Sequence, residues 1–183
     1  MKTALILIDI QNDYFPGGKM ELEAPLPAAQ HARRLLDIFR QKGWPTLHIQ
    51  HVSNRPGATF FLPDTTGLDF HEIIRPLPGE KVIVKHFPNS FRETGLLEYL
   101  QGANIESLVL CGMMTHMCVD GSMRAAADLG FPVRLADDAC ATRELVYGEA
   151  KVPASSVQVA FLAALKSYGQ VLNTEEILNQ LEA

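Results

Sequence analysis

Three side chains able to do covalent and proton-transfer chemistry stand at the ends of apolar runs: Asp9, Lys85 and Cys118. An acid, a base and a thiol brought together can carry out nucleophilic acyl transfer. Each has an ordinary reading when taken alone. A free cysteine is usually a small buried hydrophobe. A lysine closing a strand is usually a solvated charge, and an aspartate there is an N-cap or a loop hydrogen-bonding group. Context raises the chemical reading for Asp9 and Cys118, and the three together are more informative than any one alone. Asp9 ends the run ALILI, where an unpaired buried carboxylate would be costly, and further polar groups follow at Gln11, Asn12 and Asp13. Cys118 lies in SLVLCGMMTHMCVDGSMRAAADLG, residues 107–130, which reads as strand, turn and helix. The thiol then falls in a first helical turn, where free N–H groups and the helix dipole favour the thiolate.

The elements that must position these groups alternate along the chain. Residues 4–8, 45–51, 81–84, 108–111, 133–136 and 168–172 read as strands. Helices are predicted over 26–42, with Ala28, Ala29, Ala32, Leu35, Leu36 and Phe39 inward, and over 94–100. Further helices are predicted from Thr115, as cap, to Gly130 and over 155–168, with Val157, Ala160, Phe161, Ala164 and Leu165 inward. A terminal helix is capped by Asn173 or Thr174. Six such alternations predict an α/β fold, a three-layer α/β/α sandwich around a mostly parallel, about six-stranded, Rossmann-like sheet. Ligands of such sheets sit beyond the carboxyl ends of strands, and Asp9, Lys85 and Cys118 all occupy that rim. No G-x-G-x-x-G follows the first strand, which argues against dinucleotide binding. The Pro/Gly-rich stretch 53–80 is a long excursion in which Phe60, Phe61 and Phe70 cover a pocket, pin the loop or meet a second subunit.

A chain of 183 residues suits a single domain, residues 1–183. A net charge of −5 without a Lys/Arg run makes nucleic acid and anionic membrane poor partners. No stretch reaches the roughly 20 apolar residues of a membrane span. Three cysteines, an odd number without a secretion signal, point to a reducing cytoplasm, with Cys111 and Cys140 structural.

The chain resembles the isochorismatase-like cysteine hydrolases, which include nicotinamidases and N-carbamoylsarcosine amidases. Four blocks in order carry the likeness: LILIDIQNDYF at 5–15; GEKVIVK at 79–85 with NSF at 89–91; CGMMTHMCV at 111–119; and GFPV at 130–133 with DDAC at 137–140. The resemblance implies a triad of Asp9, Lys85 and Cys118. It also implies a cis peptide between Met113 and Met114 and an oxyanion hole made by the backbone N–H groups of Met114 and Cys118. Tyr14, Phe15, Phe91 and His116 become candidate pocket residues, with Gln11 and Asn89 as polar contacts. Relatives are commonly dimers or tetramers, so a homo-oligomer is expected. Metal-binding members carry Asp-x-His after the second strand, where this chain has Ile49-Gln50-His51. His48, His51 and His71 remain, but strand alternation puts His48 and His51 on opposite faces, so no metal and no cofactor are expected. The expectation is a cysteine-dependent hydrolase of a small amide or ureido substrate. The alternatives are an isochorismatase-type hydrolase that does not use the thiol and a non-catalytic small-molecule-binding protein.

Overall fold

The computed structural model describes residues 1–182. Its centre is a six-stranded sheet in the order β3-β2-β1-β4-β5-β8. The strands are β1 (Thr3–Ile8), β2 (Thr46–His51), β3 (Lys81–Lys85), β4 (Ser107–Met113), β5 (Val133–Ala141) and β8 (Gln170–Leu172). All five pairings are parallel. Central β1 and β4 are buried along their whole length, which is why they read as unbroken apolar runs. Alternation along β1 splits the core in two. Leu5 and Leu7 face a cluster with α1 (Pro25–Lys42) and α5 (Thr174–Glu182). Ala4, Ile6 and Ile8 face α2 (Leu96–Gly102), α3 (Asp120–Asp128) and α4 (Ala154–Leu165). Two helical layers on one sheet give the expected sandwich.

Helix α1 matches its sequence signature closely. Pro25 opens it, the apolar stripe from Ala28 to Phe39 is buried, and Gly43 closes it in the left-handed region at φ 65°. At α5, Asn173 is the cap: its Oδ1 accepts from Glu176 N–H at 2.9 Å, and Glu176 Oε2 accepts from Asn173 N–H at 2.9 Å. Among the described residues no helix is long and apolar enough to cross a membrane.

Four details differ from the sequence reading. The turn after β4 is a π-helical turn over Thr115–Val119, and Thr115 is inside it rather than capping it. Its hydroxyl donates to the Ala141 carbonyl at 3.2 Å. Strand β5 does not stop before the acidic pair but continues to Ala141. Its register against β4 jumps between Leu110–Leu135 and Gly112–Cys140, so Asp137–Asp138 lie in a bulge. An antiparallel hairpin, β6 (Leu145–Tyr147) with β7 (Ala150–Val152), precedes α4. Finally, α4 buries Ala154, Val157 and Leu165 but exposes Ala160 and Ala164, because it is apolar around its circumference and only one side meets the sheet.

The 53–80 excursion is pinned to the segment after β1. Phe61 N–H donates to Asp13 Oδ2 at 2.6 Å, Asn12 N–H to the Asp69 carbonyl at 2.9 Å and His71 N–H to the Ile10 carbonyl at 3.0 Å. Phe61 is fully buried and edge-on to Tyr14, with centroids 4.6 Å apart. Of the three roles open to the phenylalanines, Phe61 fills the pinning one.

Candidate active site

Four adjacent strand ends supply the site. Lys85 ends β3, His51 ends β2, Asp9 follows β1, and Cys118 lies in the π turn after β4. Asp9 sits at φ 52°, left-handed for a non-glycine residue, and is held there as its N–H donates to Ile49 O at 3.1 Å and its carbonyl accepts from Gln11 N–H at 2.9 Å. The peptide between Met113 and Met114 is cis. The Met114 carbonyl accepts from the N–H groups of Met117 at 3.1 Å and Val119 at 3.2 Å, passing over that of Cys118. Upstream, Gly112 has φ 133°, and a Cβ there would lie 2.1 Å from the Ile8 carbonyl oxygen. Only glycine lets β4 come this close to the end of β1.

The Lys85 ammonium is the hub. Its Nζ donates to Asp9 Oδ2 at 2.7 Å, to His51 Nδ1 at 2.9 Å and to Cys118 Sγ at 3.2 Å. Asp9 and Lys85 are wholly buried, and Cys118 is 5% exposed. Asp9 Oδ1 is buried with no hydrogen-bond partner among the described residues. The structure thus brings the three sequence-predicted side chains together and adds His51, which the sequence analysis weighed only as a metal ligand. The usable signal was its place at the end of β2, between the strands that carry Asp9 and Lys85.

Burial governs the protonation states. It would lower the Lys85 pKa, but the Asp9 charge and the hydrogen bonds to Asp9 and Cys118 outweigh it and the group is raised, so lysine stays an ammonium. Burial raises the Asp9 carboxyl by more than the Lys85 charge and its hydrogen bonds lower it. Cys118 is pushed well above an ordinary thiol, by burial first and the Asp9 charge second, against Lys85. The direction is opposite to that expected for a thiol at a helix start, because desolvation and the Asp9 charge outweigh the Lys85 cation. His51 is lowered to about 3 by burial and then by the charges of Lys85, Arg55 and His86. It is neutral, and since an ammonium only donates, Nδ1 must accept.

The remaining candidates separate by what they touch. Tyr14 borders the site: its phenol is raised well above the usual value, by burial and then by the charges of Cys118 and Asp9. Gln11, expected to contact substrate, spends its amide on backbone. Nε2 donates to the carbonyls of His51 at 3.0 Å and Leu68 at 2.8 Å, and Oε1 accepts from His51 N–H at 2.8 Å. Asn89 Oδ1 accepts from Phe91 N–H at 2.8 Å, which shapes its own loop, and Phe91 stacks on Phe131 at 6.4 Å. Phe15 stacks on His71 at 3.7 Å. His116 Nδ1 pairs with Thr142 Oγ1 at 2.5 Å.

The three histidines considered as metal ligands go separate ways. His48 Nε2 meets Glu80 at 3.0 Å on the other face of β2, and His71 Nδ1 accepts from Ile73 N–H at 3.3 Å. The set with metal-like spacing is one ligand atom each from Asp9, His51 and Cys118, all within 4.8 Å of one another. Lys85 Nζ is in hydrogen-bond reach of all three residues and supplies the positive charge itself.

The Isochorismatase domain family model matches residues 3–176. The isochorismatase family protein YddQ of Bacillus subtilis (strain 168) is 50% identical over 179 residues, covering 97% of this chain and 99% of that one. A streptothricin hydrolase of Streptomyces noursei is 34% identical over 142 residues, 78% of this chain and 50% of that protein. The crystal structure of a candidate isochorismatase hydrolase from Oleispira antarctica superposes with a TM-score of 0.93 at 43% identity, covering 97% of this chain and 96% of that one. With a domain match spanning nearly every element that carries the buried Asp9–Lys85–Cys118 cluster, the chain belongs to the isochorismatase family of hydrolases.

Proposed function

We propose that the protein is a cysteine-dependent, metal-independent hydrolase of a small amide or ureido compound, working through a covalent acyl-enzyme on Cys118. The observation that carries this reading is the buried ammonium bonded at once to a carboxylate and a thiol. The amidase names of more distant relatives, nicotinamidase and ureidoacrylate amidohydrolase, support the substrate class.

In this scheme the Cys118 thiol gives its proton to Asp9, whose Oδ1 has no competing donor. Sγ bonds to the substrate carbonyl carbon, and the backbone N–H groups of Met114 and Cys118 hold the tetrahedral oxyanion. The C–N bond breaks as Asp9 returns the proton to the departing nitrogen. A water then gives a proton to Asp9 and attacks the thioester; the S–C bond breaks and the proton returns to sulfur. Lys85 stays charged throughout, balancing Asp9 and the transient thiolate. Three free, buried cysteines suit a reducing compartment such as the cytoplasm. Residues 1–183 act as one domain in a homo-oligomer.

The test is a panel of primary amides and ureides with the wild type and with Cys118→Ala, each checked for folding by circular dichroism. Loss of turnover by at least about a thousandfold is expected, with an acyl adduct on wild-type Cys118 seen by intact mass spectrometry. Full hydrolysis by Cys118→Ala would overturn it. The resting neutral thiol favours one competitor, a hydrolase in which Asp9 acts without sulfur. That enzyme would survive Cys118→Ala and be lost in Asp9→Asn.

A further inference from the structure

We propose that His51 is the positioning residue of Lys85, its Nδ1 being the acceptor that holds the ammonium between the Asp9 carboxylate and the Cys118 thiol. The strand order makes the need plain. Lys85 is on β3 and Asp9 follows β1, with β2 between them. Lysine must reach across two strand spacings, about 9.6 Å in all, and His51 pairs with Lys85 in register at the end of the intervening strand. An ammonium has three N–H groups. Here each meets an acceptor from a different strand end: Asp9 at 2.7 Å, His51 at 2.9 Å and Cys118 at 3.2 Å. Without His51 one cationic N–H in this buried site would lose the acceptor it has.

The imidazole is itself held firmly. Gln11 clamps the main chain of His51 on both sides, accepting from its N–H at 2.8 Å and donating to its carbonyl at 3.0 Å. The Phe61 ring lies 6.0 Å from the imidazole. The charged and titratable groups that act on His51 are Lys85, Arg55 and His86, all of which disfavour its protonation. With Nδ1 accepting, the ring proton belongs on Nε2. The buried Gln11 amide thus acts through His51 on Lys85, two steps from the thiol.

The word positioning rests on the hydrolase reading above; the contact does not, and its test uses no substrate. Wild-type protein with ¹⁵N-labelled lysine and histidine is compared by NMR with His51→Leu and with His51→Asn, whose Oδ1 takes the place of Nδ1. In wild type, His51 should carry its proton on Nε2. In folded His51→Leu, the Lys85 ammonium should deprotonate at a pH at least about one unit lower. Iodoacetamide labelling of Cys118 at pH 10 should slow about tenfold, with Cys111 and Cys140 as internal controls. His51→Asn should stay near wild type in both. A folded His51→Leu with Lys85 titration and Cys118 labelling unchanged would overturn the proposal, as would a wild-type His51 proton on Nδ1. If His51→Leu does not fold, the wild-type tautomer and His51→Asn decide: an Nδ1 proton, or a Lys85 that titrates about one unit lower in His51→Asn, would overturn it. Hydrolysis surviving Cys118→Ala would remove the acyl-enzyme reading and leave the His51 result standing.

Discussion

The Cys118 thiol, the nucleophile of the proposed mechanism, is held protonated rather than primed. Burial and the Asp9 charge raise its pKa, so its thiolate is scarce near neutral pH. Iodoacetamide labelling followed by peptide mass spectrometry should show a rate midpoint above the roughly 8.5 of a free thiol; a midpoint below it would mean that the ammonium wins over burial. Glu80 shows the opposite balance. Burial would raise its carboxyl, but paired hydrogen bonds from Arg40 at 2.7 and 2.8 Å, the Leu77 N–H, and the charges of His48 and Arg40 bring it down to about 2. Its folded pKa is below the ordinary 4.5, so its stabilisation is complete above that value and fades as pH falls towards about 2. Glu80→Gln should cost ~3 kcal/mol at pH 7 in urea unfolding and flatten the acid branch between those pH values. The sequence made Asp9 and Cys118 legible through their places at strand ends. Lysine was harder, because what buries Lys85 is the set of acceptors reaching it from other strands.

Backbone geometry decides whether those strand ends meet. Gly112→Ala would set a Cβ 2.1 Å from Ile8 O and 2.7 Å from Ile8 N at a φ of 133°. It should destabilise the fold by at least ~3 kcal/mol, read as a lower urea midpoint, and displace the Met113–Cys118 turn. The six strands and α1 could be read from the chain because apolar period and end signals agree there. Two local features could not. A π turn and an α turn differ in hydrogen-bond register, not in composition, so Thr115 looked like a cap. Asp137–Asp138 looked like a strand end, yet the bulge lets β5 continue while Asp138 accepts from the Thr174 N–H at 2.9 Å and hydroxyl at 2.7 Å. The 145–152 hairpin did leave a trace: Gly148-Glu149 joins Tyr147 to Ala150 as a two-residue turn with Gly148 at φ 59°.

Over the whole molecule, α4 and the adjoining hairpin form an apolar surface. The helix ASSVQVAFLAAL carries no charge, Val159 is 68% exposed, and Val146 and Tyr147 are 62% and 90% exposed. Such a surface favours self-association. Sedimentation of the wild type should show an oligomer that Val159→Glu dissociates without loss of secondary structure; a wild-type monomer at tens of micromolar would remove the oligomer from the reading. The burial of Asp9, Lys85 and Cys118 has a different consequence. Peroxide attacks exposed thiolates, and this sulfur is neither exposed nor ionised at rest. Under the mechanism proposed above, that burial keeps the sulfur from being spent on sulfenic acid between turnovers, so the resting protein carries its own protection against oxidative damage.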